Sequence, residues 1–149
     1  MTIRLVTNED LEAWLKLAKE VEPLFGKMVE CNEFNEGIKE TIAKKSAFCV
    51  TDTNNEIGGI IAVDKSQNEI VWLAVHKKRR SKGFGLKLLK AAIDNLDHFR
   101  PIYVQTFCAG TTEGKAARHL YEQFGFIDYK NAGKNPAGID TVIMRLDTV

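Results

Sequence analysis

The chain of 149 residues has only three cysteines, Cys31, Cys49 and Cys108, and no C-x-x-C spacing. An odd count without that spacing argues against a disulfide framework and a zinc site, and makes a reducing cytoplasm the simplest location. No apolar run approaches the ~20 residues that a membrane helix needs. The N-terminal Met1-Thr2-Ile3-Arg4 passes into acidic residues by Glu9 without the apolar core of a signal peptide. Internal repeats, low-complexity tracts and linkers are missing as well. The formal net charge is +1, too little for a chain built to neutralise a nucleic-acid backbone. What remains, 44% hydrophobic and 28% charged residues, is the composition of an ordinary globular protein. A single domain over residues 1–149 is expected, able to bury roughly two-thirds of its unfolded surface.

The apolar spacing sets the order of elements. Ile3 to Val6 reads as a short strand, and Thr7 with Asp10 as a capping-box-like start to a helix that continues through Leu11, Trp14, Leu15 and Ala18. A second helix is expected within Asn32 to Lys44, with Phe34, Ile38 and Ile42 inward. Three strands then follow at Ala47–Thr51, Gly58–Val63 and Glu69–Val75, separated by polar turns. Gly58-Gly59 suggests a bulge or a close backbone approach. A helix over Leu86–Leu96, a strand over Ile102–Phe107 and a helix over Glu113–Phe124 come next, the last stopped by Gly125. Ile127–Tyr129 and Asp140–Leu146 read as the final strands, joined by a loop rich in Gly, Asn and Pro. A mixed sheet flanked by helices follows from this order.

The most informative stretch is Arg80-Ser81-Lys82-Gly83-Phe84-Gly85, between the Glu69–Val75 strand and the following helix. A strand, a tight loop with two glycines and a helix aim free backbone N–H groups and a helix dipole at one point, where a phosphate can sit. Gly83 and Gly85 bring permissive dihedrals and no Cβ to block a ligand. Positive charge gathers at the same place: Lys77, Lys78, Arg79, Arg80 and Lys82 lie within seven residues. A solvated loop accounts for Lys77 and Lys78 equally well, whereas Arg80 and Lys82 stand next to the helix N-terminus and suit phosphate. Two common phosphate motifs fail here. A dinucleotide fingerprint would need glycine where Leu88 stands, and Gly110 to Lys115 has one residue too few between its glycines and Ala116 in place of Ser or Thr.

The pattern R-x-x-G-x-G at the end of a sheet strand does match. Together with Ala117-Arg118-His119-Leu120-Tyr121-Glu122-Gln123-Phe124-Gly125-Phe126, it resembles the GNAT superfamily of acetyl-CoA-dependent N-acetyltransferases. The resemblance covers roughly residues 47–146 and is specific over 69–126. It implies a mixed, mostly antiparallel central sheet of six to seven strands flanked by about four helices. It implies acetyl-CoA as cosubstrate, with no metal. By the same resemblance, backbone groups of Leu73, Ala74 and Val75 pair with the pantetheine arm. The N–H groups of Arg80, Ser81, Lys82, Gly83, Phe84 and Gly85 hold the pyrophosphate, and Tyr121 lies near the CoA sulfur. Many members carry Asn where this chain has Gly114, so a contact from that position is in question, and Thr111 or Thr112 is the available substitute.

Acetyl transfer needs a neutral amine, a polarised carbonyl and a proton for the leaving sulfur; a positioned general base contributes roughly 10²–10⁴-fold. Glu69 is the candidate base, resembling the histone-acetyltransferase branch, and an apolar surround would raise its pKa into the working range. A solvated glutamate beside the turn residue Asn68 is the plain alternative. Tyr121 is the candidate acid, although its place beside Ala117, Leu120 and Phe124 also fits a core residue. His119 and His76 are weaker bases, and Cys108 reads as a small hydrophobe. The leading expectation is an N-acetyltransferase acting on a primary amine, small molecule or protein, by direct attack in a ternary complex. A catalytically impaired CoA-binding module and a nucleic-acid binder using Lys77–Lys82 are the rivals. By the same resemblance the acceptor is set by roughly Leu24–Asn35 and Tyr129–Gly138; Glu30, Glu33 and Glu36 suit a cation, and a solvated helix face explains them equally well. No signature there identifies it, and a homodimer is left open.

Overall fold

A computed structural model describes residues 1–112 and 114–147. In chain order the elements are β1 (Thr2–Leu5), α1 (Leu11–Phe25), α2 (Asn32–Ala43), β2 (Ala47–Thr51), β3 (Ile57–Asp64), β4 (Glu69–Val75), α3 (Phe84–Asp94), β5 (Ile102–Phe107), α4 (Lys115–Gln123), β6 (Ile127–Lys134) and β7 (Asp140–Leu146). One seven-stranded sheet runs in the order β1-β2-β3-β4-β5-β7-β6. The pair β4–β5 is parallel and the other neighbouring pairs are antiparallel. The expected mixed, mostly antiparallel sheet with four flanking helices is what forms.

Each face of the sheet carries its own apolar layer. Phe84, Leu88, Leu89 and Ala92 of α3, with Tyr121 of α4, pack on Val50, Ile61, Val63, Ile70, Val104 and Met144. On the other face Trp14, Leu17, Ala18 and Val21 of α1 and Ile38 and Ile42 of α2 pack on Cys49, Ile60, Ala62 and Ala74. Both helix pairs turn a stripe of 3.6-residue period to the sheet, while alternate strand residues serve opposite layers.

Two boundaries differ from expectation for physical reasons. The helix after the glycine loop starts at Phe84, two residues early, so Gly85 falls within its first turn. Gly58 makes this seat available: a Cβ there would lie 2.1 Å from the Phe84 ring, and the β2–β3 register shifts at the same place. The expected bulge and the close approach are both present. β6 runs to Lys134 instead of stopping at Tyr129, passing two register shifts against β7. It is an exposed edge strand with no alternating apolar pattern to read. The expected start of the last helix at Glu113 lies outside the described residues; α4 begins at Lys115.

The junction of β4 with β5 is the feature that positions the site. These strands pair only at Glu69↔Tyr103 and Ile70↔Val104, so from Val71 onward β4 leaves its neighbour. Asn68, 1% exposed and at φ 54°, locks the closed end. Its Nδ2 donates to the carbonyls of Asp97 (2.9 Å), Pro101 (2.9 Å) and Arg100 (3.3 Å), and its Oδ1 accepts from the Asp97 N–H at 2.7 Å. Its own carbonyl accepts from the Tyr103 N–H at 3.2 Å. One side chain thus ties the β3–β4 turn to the α3–β5 connection. Asn68→Ala strands several of these buried groups and is expected to cost about 2 kcal/mol, or roughly 4–8 °C in Tm. A thermal melt within 1 °C of the parent would remove Asn68 from this role.

Candidate active site

The opening between β4 and β5 leads to the glycine loop. Its far end is a short 3-10 turn at Lys77–Arg79 followed by Arg80–Gly83 and α3. Two residues of the loop occupy the left-handed region, Ser81 at φ 63° and Gly83 at φ 85°. A serine held there stores backbone strain of a kind that gathers at ligand-binding segments. A Cβ on Gly83 would meet nothing within 4 Å. Glycine is required there by its dihedral, and the space beside it is open. Helix geometry leaves the N–H groups of Phe84, Gly85 and Leu86 without intrahelical acceptors, and the Lys87 N–H donates to the Gly83 carbonyl at 3.2 Å. The Phe84 side chain is buried on β3, so only its backbone faces the loop.

The cations of this segment divide into two groups. Arg79 is pinned to Asp52 by a two-nitrogen contact to Oδ2 (2.5 Å and 3.2 Å) and reaches Glu56 at 3.5 Å. His76 accepts from the Lys78 N–H at 3.1 Å and lies 3.5 Å from Glu20 of α1, which also accepts from the Lys77 N–H. These contacts fasten the loop to the β2–β3 turn and to α1, a structural role hidden in a run of like charges. Lys82 and Arg80 are exposed at the loop, Arg80 donating through Nε to the Val75 carbonyl at 3.3 Å. The arrangement gathers N–H groups, a helix N-terminus and exposed cations, which together can hold a diphosphate. The loop contacts the end of β4 directly, since the Arg80 bond lands on Val75. Leu73 and Val75 turn their side chains to the α3/α4 layer and Ala74 to the α1/α2 layer. With β5 absent beside this stretch, their backbone edge can pair with an extended ligand.

Glu69 and Tyr121 lie on opposite faces. On β3 Ala62 belongs to the α1/α2 layer, so Asp64 two residues on shares that face, and its partner Glu69 does too. Glu69 is half-buried with no hydrogen bond or ion pair among the described residues, and burial, then the Asp64 charge, push its carboxyl above the usual range. Tyr121 is 4% exposed in the α3/α4 layer, edge-on to Phe126 with ring centroids 5.6 Å apart. Burial raises its phenol well above the ordinary value. Its neighbour Leu120 closes on the glycine loop: a Cβ on Gly85 would lie 3.1 Å from Leu120 Cδ2. His119 is exposed, and Cys108 is partly buried against the core. Gly114 has no room for a side chain, since a Cβ would lie 2.5 Å from Phe107 Cβ and 2.7 Å from Thr111 Oγ1. The tight α4–β5 packing thus accounts for the departure from Asn. The Thr111 hydroxyl donates to the Cys108 carbonyl at 2.8 Å.

A seven-stranded sheet that splits beside a glycine loop, with helices on both faces, defines the acetyltransferase class of fold. The chain matches the acetyltransferase (GNAT) domain family over residues 16–148 and belongs to it. None of the curated proteins compared matches it in sequence. Among solved structures it is similar to an N-acetyltransferase from Staphylococcus aureus Mu50, at TM-score 0.79 and 18% identity over 99% of this chain and 98% of that one. An acetyltransferase of the family from Bacillus cereus ATCC 10987 matches at TM-score 0.75 and 14% identity, covering 99% and 97%. A protein from Salmonella typhimurium, solved with its cofactor acetyl-CoA, matches at TM-score 0.73 and 16% identity, covering 100% and 94%. Identities this low establish the fold and leave the acceptor open. Among the described residues no helix is long and apolar enough to cross a membrane, and no cluster of three His, Cys, Asp or Glu side chains could hold a metal.

Gly83→Trp fills the open side of the loop and forces a left-handed tryptophan, at a stability cost of about 1–2 kcal/mol. The variant is expected to stay folded by circular dichroism and to lose CoA binding by at least tenfold in calorimetry. Unchanged affinity would take the loop out of the site.

Proposed function

We propose that this protein is an N-acetyltransferase that moves acetyl from acetyl-CoA to a primary amine by direct attack within a ternary complex. The observation that supports this most is the split between β4 and β5, which leaves the Leu73–Val75 stretch without a partner strand on that side, beside the glycine loop. Bound acetyl-CoA supplies an activated acyl carbon and a thiolate leaving group. Arg80, Ser81, Lys82, Gly83, Phe84 and Gly85 hold its diphosphate, and the free backbone edge of Leu73, Ala74 and Val75 aligns its extended arm. Glu69 takes the proton from the incoming amine, directly or through one water, as the new C–N bond forms. Tyr121 gives its phenolic proton to sulfur as the C–S bond breaks. A raised carboxyl pKa suits the base, and a phenol kept protonated by burial suits the acid.

Gly114 supports a second reading, a CoA-binding module without turnover, because the position cannot carry a side chain toward the cofactor. A thiol-release assay over a panel of amines separates the two. Turnover on any amine establishes the enzyme, and tight CoA binding with none selects the module.

Two further outcomes follow from the assigned roles. Tyr121→Phe is expected to lower kcat at least tenfold with little change in KM for acetyl-CoA; an unaffected kcat returns Tyr121 to the core. Asp64 raises the Glu69 pKa, so Asp64→Asn, which keeps most of the turn's hydrogen bonds, should lower it. The base is then ionised at lower pH, and the acidic limb of the kcat/KM profile shifts toward acid. A limb that stays in place would exclude Glu69 as the group it reports.

A further inference from the structure

The helix that bears Tyr121 has little apolar packing of its own. α4 is nine residues long, too short to be stable by itself, and Tyr121 is its one fully buried residue. Its first turn sits flush on the last residue of β5, where a Cβ on Gly114 would lie 2.5 Å from Phe107 Cβ. Arg118, one turn before Tyr121, completes that seat. Its side chain is only 11% exposed; Nη1 donates to the Phe107 carbonyl at 3.2 Å, and Nη2 pairs with Asp128 of β6 at 2.9 Å. The Cys108 N–H donates to the Asp140 carbonyl on β7, so the same trans peptide points the Phe107 carbonyl the opposite way, to the side on which β4 has parted. A neighbouring strand would ordinarily pair with that carbonyl. Here Arg118 does so, with a planar fork that reaches two strands at once.

We infer that Arg118 is a positioning residue for acetyl transfer: its bridge from β5 to β6 sets the rotation of α4, and with it the place of the Tyr121 phenol. This role rests on the acetyltransferase reading above, with Tyr121 as the acid. Residues three apart are neighbours on one side of a helix, so a rotation that shifts Arg118 shifts Tyr121 too. Apolar contacts hold that rotation loosely, because Ala117, Leu120 and Phe124 are only partly buried against the core. Two directional bonds to two different strands hold it closely. The Phe107 carbonyl is the firmer anchor, since the Asp128 side chain is 47% exposed. A proton donor displaced by about 1 Å loses up to about 10²-fold in rate, so a helix seated this lightly needs such a clamp.

The test is a double-mutant cycle between Arg118→Met and Tyr121→Phe. Turnover is followed by thiol release from acetyl-CoA with phenethylamine, spermidine and a lysine-containing peptide, and kinetics are taken on whichever is acetylated. CoA affinity is measured by calorimetry and folding by circular dichroism. Arg118→Met should lower kcat about tenfold, with KM for acetyl-CoA and CoA affinity within about twofold of the parent. In the Tyr121→Phe background the same substitution should change kcat by less than about twofold, because the group it positions is gone. Arg118→Lys keeps the charge and loses the fork, and should fall between parent and Arg118→Met. Should Arg118→Met not fold, Arg118→Lys takes its place in the cycle. An equal loss of kcat in both backgrounds makes Arg118 a structural residue and overturns the role, as does an unchanged kcat in Arg118→Met. An unaffected kcat in Tyr121→Phe removes the acid and this role, and leaves the transferase. A parent protein that acetylates none of the amines refutes the transferase reading itself, and the role with it.

Discussion

Everything that can serve chemistry in this molecule depends on two strands parting. β4 and β5 share two paired positions next to the Asn68 anchor and then diverge, with α3 and α4 packed on one face of the sheet. A parallel pair normally gains from each further hydrogen bond, so an open edge in the middle of a sheet carries a cost. The cost is contained because the flanking layers hold the sheet together independently. The result is a stretch of β4 backbone with no partner strand on that side.

The loop at the mouth of that gap shows how packing and electrostatics cooperate. Gly58 admits the Phe84 ring, which seats the first turn of α3 on β3 and brings its N–H groups to the end of β4. Asp52 and Glu20 tether Arg79 and the His76–Lys77 turn, leaving Arg80 and Lys82 exposed. A tethered frame with two exposed cations suits an anionic ligand better than a fully flexible basic loop, since less ordering entropy is lost on binding. On the α1/α2 face Glu69 is half-buried, where a carboxylate is harder to ionise.

Much of the frame was legible from the chain. The strand–loop–helix run over residues 69–96 could be read because each element has its own period and the glycines mark the change. Tyr121 and Glu69 could be named from motif resemblance, but not their opposite faces, since facing depends on the Val71 bulge and the β3–β4 register. Arg79 looked like one cation among five; only the fold brings Asp52, far back in the chain, against it. Asn68 looked like a turn residue, and its four bonds all reach a segment about thirty residues away. The length of β6 was hidden because an exposed edge strand has no buried face to impress a pattern on its sequence.

The sequence by itself determined the element order and the strand–glycine loop–helix run, because local periodicity and dihedral needs are written in neighbouring residues. The tertiary structure alone decided where β4 and β5 separate, which cations tether the frame, why Gly114 cannot be larger, and that two tryptophans from distant elements meet. Those are properties of contacts between segments far apart in the chain. Burial and pairing across such distances are set by how the layers close, and no window of sequence contains them.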